Sequence, residues 1–390
     1  MKRLLFVLSF VVLTFSFGCQ IGHDGGSSSS VVLGHQARRE EVRPLELMPE
    51  DVLDLRTTYG RIEVVAGTGR PELRATLHAG GRTAEEAKAV LDRYRLEIVR
   101  GPNGPRAELV GEPLELLDGS IHMELSVHAD FVATVPVGTR VAADSGSGDI
   151  VTRGVLGGLR LDTQYGSITI DEARGDVHAK SGSGDVEVAR LDCKTPGPGK
   201  AELESGYGCV RVQQAHAGRV SCVSGSGDIR VGSAEVDSLE LTTGYGSVNV
   251  EQAGGAVRAK SGSGDVRLEG VRGAITAESG YGKVEIEGVI TALDATSGSG
   301  DVRVKAHAES RVERDWKLSS SYGAVVLEVP EGFACVLDAD TSFGSVECDF
   351  PVTIEAGKRK GDRGLKGTIG AGGGAVRLSS GSGDVALKKH

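Results

Sequence analysis

From Ala256 to Glu287 the chain alternates strictly between apolar and polar positions. Val257, Ala259, Val266, Leu268, Ile275, Ala277, Val284 and Ile286 fall on one side. Arg258, Lys260, Arg267, Glu269, Thr276, Glu278, Lys283 and Glu285 fall on the other. A period of two is the pattern of strands with one buried and one wet face. The strands are short and are interrupted by Ser261-Gly262-Ser263-Gly264-Asp265 and by Ser279-Gly280-Tyr281-Gly282. Both interruptions are turn-forming in composition.

The interruptions recur. Ser-Gly-Ser-Gly-Asp followed by Val or Ile starts at Ser145, Ser181, Ser224, Ser261, Ser297 and Ser380. Between these copies lies a version with an aromatic in the third place: Tyr165, Tyr207, Tyr245, Tyr281, Tyr322 and Phe343. The last glycine of each copy falls at 148, 166, 184, 208, 227, 246, 264, 282, 300, 323, 344 and 383, mostly 18 or 19 residues apart. A fixed period of this kind marks a solenoid, in which each repeat buries its apolar face against its neighbours. The expected fold is therefore all-β: a parallel β-solenoid of coils of about 18 residues over 142–390. Each coil is read as two short strands and two glycine-bearing turns, stacked about 4.8 Å apart.

Residues 45–141 break the period and are expected to form an α+β cap over the first coil, because a bare terminal strand edge invites aggregation. Thr58-Tyr59-Gly60-Arg61-Ile62 is an early copy of the aromatic motif, flanked by Val52–Leu55 and Ile62–Val65. Thr83 and Glu86 form a capping-box pair that opens a helix, with Ala84, Ala87, Val90, Leu91 and Tyr94 as its apolar stripe. A ligand-binding head is the functional alternative for this region.

The leader alters where the solenoid is expected to work. Lys2 and Arg3 precede an apolar run from Leu4 to Phe17, too short for a comfortable membrane span. The run ends at Gly18-Cys19-Gln20 and resembles a bacterial lipoprotein signal. That resemblance implies a signal peptide over 1–19 and acylation of Cys19, with a membrane as the first partner. Gln20 is not the aspartate that tends to retain such lipoproteins at the inner membrane, so the outer membrane is the expected location. Residues 20–44, with Gly25-Gly26 and Ser27–Ser30, read as a flexible tether. The net charge of −10, spread over both signs, argues against a nucleic-acid partner.

Candidate chemistry is sparse. The aromatic column is expected to pack, each ring into the small Ser-Gly turn beside it; a ladder for sugars or another chain is the alternative. Asp149, Asp185, Asp228, Asp265, Asp301 and Asp384 fall in a second column. Copies two ladder spacings apart cannot share one calcium ion, so bonding to turn amides is the reading preferred. Cys335 and Cys348 sit on inward positions flanking one turn and form a candidate disulfide pair in an exported protein. Cys193 and Cys209 form a second candidate pair, and Cys222 reads as a small core residue. The Pro-Gly loop over 192–199 and the basic loop over 357–366 interrupt the coils. Neither the glycine-rich Gly367–Gly374 stretch nor the Gly-Ser-Gly turns carry the context of a nucleotide loop or a nucleophile elbow. No cofactor, metal or catalytic residue is assigned.

The stretch around Tyr59-Gly60, the turn Val135-Pro136-Val137-Gly138, the repeated Ser-Gly-Ser-Gly-Asp-Val and the closing Gly367-Thr368-Ile369-Gly370 to Val385 resemble the bacterial "putative adhesin" β-solenoid family of unknown function. The resemblance covers about 50–390 and implies an envelope role with no catalytic residues to carry over. The expected function is a lipid-anchored, non-enzymatic adhesion and interaction scaffold. Its partners would be an envelope protein, a polysaccharide or a second copy. The alternative is a carbohydrate-binding or carbohydrate-cleaving β-helix.

Overall fold

The structure is a computed structural model, and it describes residues 34–118, 121–125, 127–194, 199–354, 360–361 and 363–390. The signal peptide, Cys19 and the first part of the tether lie outside the described residues, as do 195–198 of the Pro-Gly loop and 355–359 and 362 in and beside the basic loop. The chain divides into two compact units, Met1–Glu172 and Ala173–His390.

In the first unit the coils begin earlier than the sequence suggests. The strand Val52–Tyr59 pairs in parallel with Arg140–Ser147, which pairs in parallel with Leu159–Thr163. Across the turns, Ile62–Ala66 pairs with Ile150–Arg153, which pairs with Ile168–Ala173. The stretch 52–66 is thus itself a coil, inside the region expected to be only a cap. Two later strands cover this coil: Gly104–Val110 pairs beside Val52–Tyr59, and Val127–Val135 beside Ile62–Ala66. Glu72–Gly81 then extends the sheet as an antiparallel neighbour of Val127–Val135.

Part of the expected tether is also strand. His35–Pro44 runs antiparallel to Glu72–Gly81 over its whole length. Its alternation is disguised because its inward positions are Ala37 and Glu41 rather than large apolar residues. Glu41 is only 6% exposed and is held by Arg39 and Arg43 at 3.0 and 2.9 Å. The helix falls where expected, Ala84–Asp92, with Thr83 accepting from the Glu86 amide. Glu86 reaches back as a capping box requires: Arg82 first, and more weakly the Thr83 amide, hold its carboxyl below the usual carboxylate range. Its carboxylate accepts from the Arg82 amide at 2.9 Å and pairs with the Arg82 guanidinium.

The second unit is a stack of parallel coils. The register runs Val186↔Val210↔Ile229↔Val248↔Val266↔Val284↔Val302↔Val325. Every inward residue named in the sequence pattern is buried, from Ile275 and Ile286 at 3% exposed to Ala259, Val266, Leu268, Ala277 and Val284 at 0%. The second corner of each coil departs from the expected glycine turn. Strands such as Val266–Ser279 run through it without leaving the ladder. Gly270 and Gly273 ease that passage in one coil with φ of +54° and +134°.

The C-terminal end is out of sequence order. Ala375–Ser380 pairs on one side with Trp316–Ser320 and on the other with Cys335–Thr341. Val385–Lys389 likewise lies between Val325–Val329 and Val346–Cys348. The last coil of the chain is therefore inserted between the two that precede it. Gly364–Ile369 pairs antiparallel along the outer side of Cys335–Thr341 and covers that edge. Trp316, fully buried under this inserted coil, packs 5.4 Å from Phe333.

Candidate binding edge

Each Ser-Gly-x-Gly turn is built from inside out. The first residue, Ser or Thr, points inward: Ser224, Thr243, Ser261, Ser279 and Ser297 are at most 5% exposed. Its hydroxyl accepts from the amide of the glycine three residues on and donates to a carbonyl of the preceding coil. For Ser261 these bonds are 2.8 Å from the Gly264 amide and 2.8 Å to the Gly246 carbonyl. The same pair recurs at Ser205, Ser224, Thr243, Ser279, Ser297, Ser320 and Ser380. Sequence reading did not find this buried hydroxyl column, although the unbroken run of Ser or Thr at the first place was its signal.

The fourth-place glycine is set by stacking. A Cβ at Gly264 would lie 2.2 Å from the Gly246 carbonyl oxygen, well inside contact distance. The aspartates behave as the turn-amide reading expects. Asp185, Asp228, Asp265, Asp301 and Asp384 each accept, at 2.8 to 3.0 Å, from the amide that follows the glycine of the neighbouring aromatic turn. The Ser345 amide and hydroxyl together hold the Asp384 carboxyl below the usual carboxylate range.

With hydroxyl, glycines and aspartate committed to the stack, the third residue is left at the tip. Its neighbours face into the turn and its own side chain faces water. Tyr207, Tyr245 and Tyr281 are 72% exposed, Tyr322 70% and Phe343 72%. In the first unit Tyr165 is 69% exposed and Tyr59 50%. The rings therefore do not pack into the adjacent small turns, and that expectation is overturned. The insertion at the C-terminus also completes the alternation. Because Val385 lies between Val325 and Val346 in the ladder, Ser382 lies between Tyr322 and Phe343. The row in the second unit reads Ser183, Tyr207, Ser226, Tyr245, Ser263, Tyr281, Ser299, Tyr322, Ser382, Phe343.

The cysteines do not join this edge chemically. Cys335 and Cys348, the first candidate disulfide pair, are both free thiols in the structure. Cys348 is only half-buried, because its strand pairs on one side with Val385–Lys389 at the end of the ladder. Burial, with a smaller contribution from Cys348, pushes the Cys335 thiol up to about 12. Burial does the same to Cys222 and raises Cys193 to about 11. Cys193 and Cys209 are likewise free. In the first unit an open cleft of about 680 Å³ is bordered by Arg56, Tyr59, Tyr94, Glu108 and Asp144.

Parallel coils of one strand-turn-strand each, with regular inward hydroxyls, define a β-solenoid. The family model described as Toastrack DUF4097 matches residues 175–388, more than half of the chain, and the chain belongs to that family. Solved structures to which the chain is similar include a protein from Parabacteroides distasonis described as a putative adhesin. It is 10% identical, covers 90% of this chain and 96% of its own, and gives a TM-score of 0.30. A Parabacteroides merdae protein of the same description is 10% identical over 90% of this chain and 95% of its own, at 0.28. A Clostridium sporogenes protein described as a putative cell adhesion protein is 11% identical over 90% and 100%, at 0.17. No curated protein matches the chain.

Proposed function

We propose that this chain is a non-enzymatic adhesion and interaction scaffold of the bacterial cell envelope. Acyl chains on Cys19 hold it to a membrane, the outer one in a cell with two. The observation that carries the reading is the tip row. Five aromatic side chains of one unit, each about 70% exposed, recur at every second coil of a rigid ladder. Large exposed aromatics are costly to leave in water, and a fixed row of them serves contact rather than folding. The Gly18-Cys19 leader supports export and anchoring.

The test is attachment of whole cells displaying the chain to a matching cell or envelope surface. Replacing Tyr207, Tyr245 and Tyr281 together by Ala is expected to reduce attachment several-fold without lowering the amount displayed. Attachment that is unchanged by the triple replacement sinks the reading. Cys19→Ser is expected to move the protein from the membrane to the soluble fraction, and continued membrane retention removes the anchor from the proposal.

A further inference from the structure

We propose that the aromatic row of the second unit takes an extended, uncharged, β-1,4-linked glycan lying along the stack. This rests on the scaffold reading and names the ligand of its edge. Three observations point to that polymer. The rings stand single file on alternate coils rather than clustered as a protein partner's central anchors are. They recur every second coil, roughly 9.6 Å apart by the ladder spacing. An extended β-1,4-linked chain turns over at each sugar, so that every second ring presents the same face, on a repeat close to that length.

The tip serines supply the polar half. Ser226, Ser299 and Ser382 are exposed between the rings, and Ser263 is half-buried. Each aromatic face can stack on the C–H side of one sugar while the serine between it and the next ring meets the hydroxyls of the intervening sugar. The Gly262, Gly264 and Gly280 amides are already bonded within the stack, so the exposed side chains at the tip carry the recognition proposed here. The chain's net charge of −10 disfavours a polyanion. Several weak stacking contacts on one rigid line act together, so affinity should grow with ligand length.

The experiment uses the full chain carrying Cys19→Ser, so that no acyl group contributes. Isothermal titration compares the β-1,4-linked disaccharide and hexasaccharide of N-acetylglucosamine with α-1,4-linked maltohexaose. A hexasaccharide spans three aromatic coils and a disaccharide one, so the hexasaccharide is expected to bind at least roughly tenfold more tightly. Maltohexaose, which coils, is expected not to bind. Tyr245→Ala with Tyr281→Ala should lose about tenfold in hexasaccharide affinity with the unfolding midpoint unchanged, and Tyr281→Trp should retain it. Equal binding of α- and β-linked chains, absence of length dependence, or indifference to ring removal overturns the assignment. So does ring-dependent capture by phosphatidylcholine–phosphatidylglycerol vesicles in place of glycan, which would make the row a membrane contact. If hexasaccharide binding fails while ring-dependent cell attachment persists, the glycan assignment alone is lost; if both fail, the scaffold reading goes with it.

Discussion

A hydroxyl at the first place of a turn does two things at once: it satisfies an amide of its own coil and a carbonyl of the coil before. Ser261→Ala removes both partners from buried groups, Gly264 N–H and Gly246 C=O. Leaving buried polar groups unsatisfied costs about 1–3 kcal/mol, and the loss is expected as a lowered denaturant midpoint. Ser261→Thr is the control, because Thr163 and Thr243 make the same pair of bonds in other coils. A Thr variant as unstable as the Ala variant would show that the hydroxyl is not the stabilising group. Gly264→Ala is expected to cost more than Ser261→Ala, since the atom it would strike is backbone and cannot move aside. The inward hydroxyl went unread in the sequence for a physical reason. Alternation assigns Ser261 to the buried side, but serine next to glycine reads first as a turn residue. The tip aromatics were misassigned because alternation stops at the strand's end and gives the next three residues no face.

Strand pairs carry the next scale, and the first unit has one with titratable character. His78 on Glu72–Gly81 lies opposite His128 on Val127–Val135, and their rings stack 4.6 Å apart with planes within 5°. Arg38 on the next strand is in register with His78, and Asp130 lies 3.4 Å from its Nε2. Partial burial first, then the charge of His128, and to a lesser extent that of Arg38, hold the His78 imidazole below its usual value, against an opposite pull from Asp130. The unfolded chain therefore binds a proton that the folded sheet resists. Stability from this group is complete above the unfolded value of 6.5 and falls as pH drops below it towards the folded value. Titrated by nuclear magnetic resonance, His78 is expected to move up towards its usual value in His128→Gln. The variant should also lose less stability than the parent between neutral and mildly acidic pH. An unmoved His78 would mean that the ring pair has no electrostatic consequence. Strands of this kind were legible where the inward face is apolar, as at Leu73, Ala75 and Leu77, all fully buried. His35–Pro44 was not, because Ala37 and Glu41 carry its inward face and the charged remainder reads as linker.

At the scale of the molecule, the order of coils in space is the feature local patterning cannot encode. Val376, Leu378 and Val385 alternate like any other coil, so the sequence offers no sign of which strands they join. The 39-residue step from Gly344 to Gly383 reads as a long loop before a terminal coil. In the structure that coil is an internal layer, with Trp316–Ser320 on one side and Cys335–Thr341 on the other. A solenoid's stability is nearly a sum over neighbouring interfaces, so losing an end coil removes one interface. Removing an internal layer removes two and strands the coil beyond it. A chain ending at Gly374 is therefore expected to lose order over Cys335–Thr341 and Val346–Cys348, not just over Gly364–Ile369. Protease cleavage within those strands would report it, with the coils from Val210 to Ser297 remaining resistant. Trp316 gives a second readout, because it is the sole tryptophan and stands directly against Val376. Its emission should shift to the red on truncation, as water reaches a side chain that is fully buried in the intact protein. If the shortened chain keeps both a blue-shifted tryptophan and protected strands at Cys335–Thr341 and Val346–Cys348, the coil around Phe343 has closed directly onto the coil around Tyr322. Two aromatic turns would then be adjacent, and the strict Tyr–Ser alternation would owe nothing to the inserted coil.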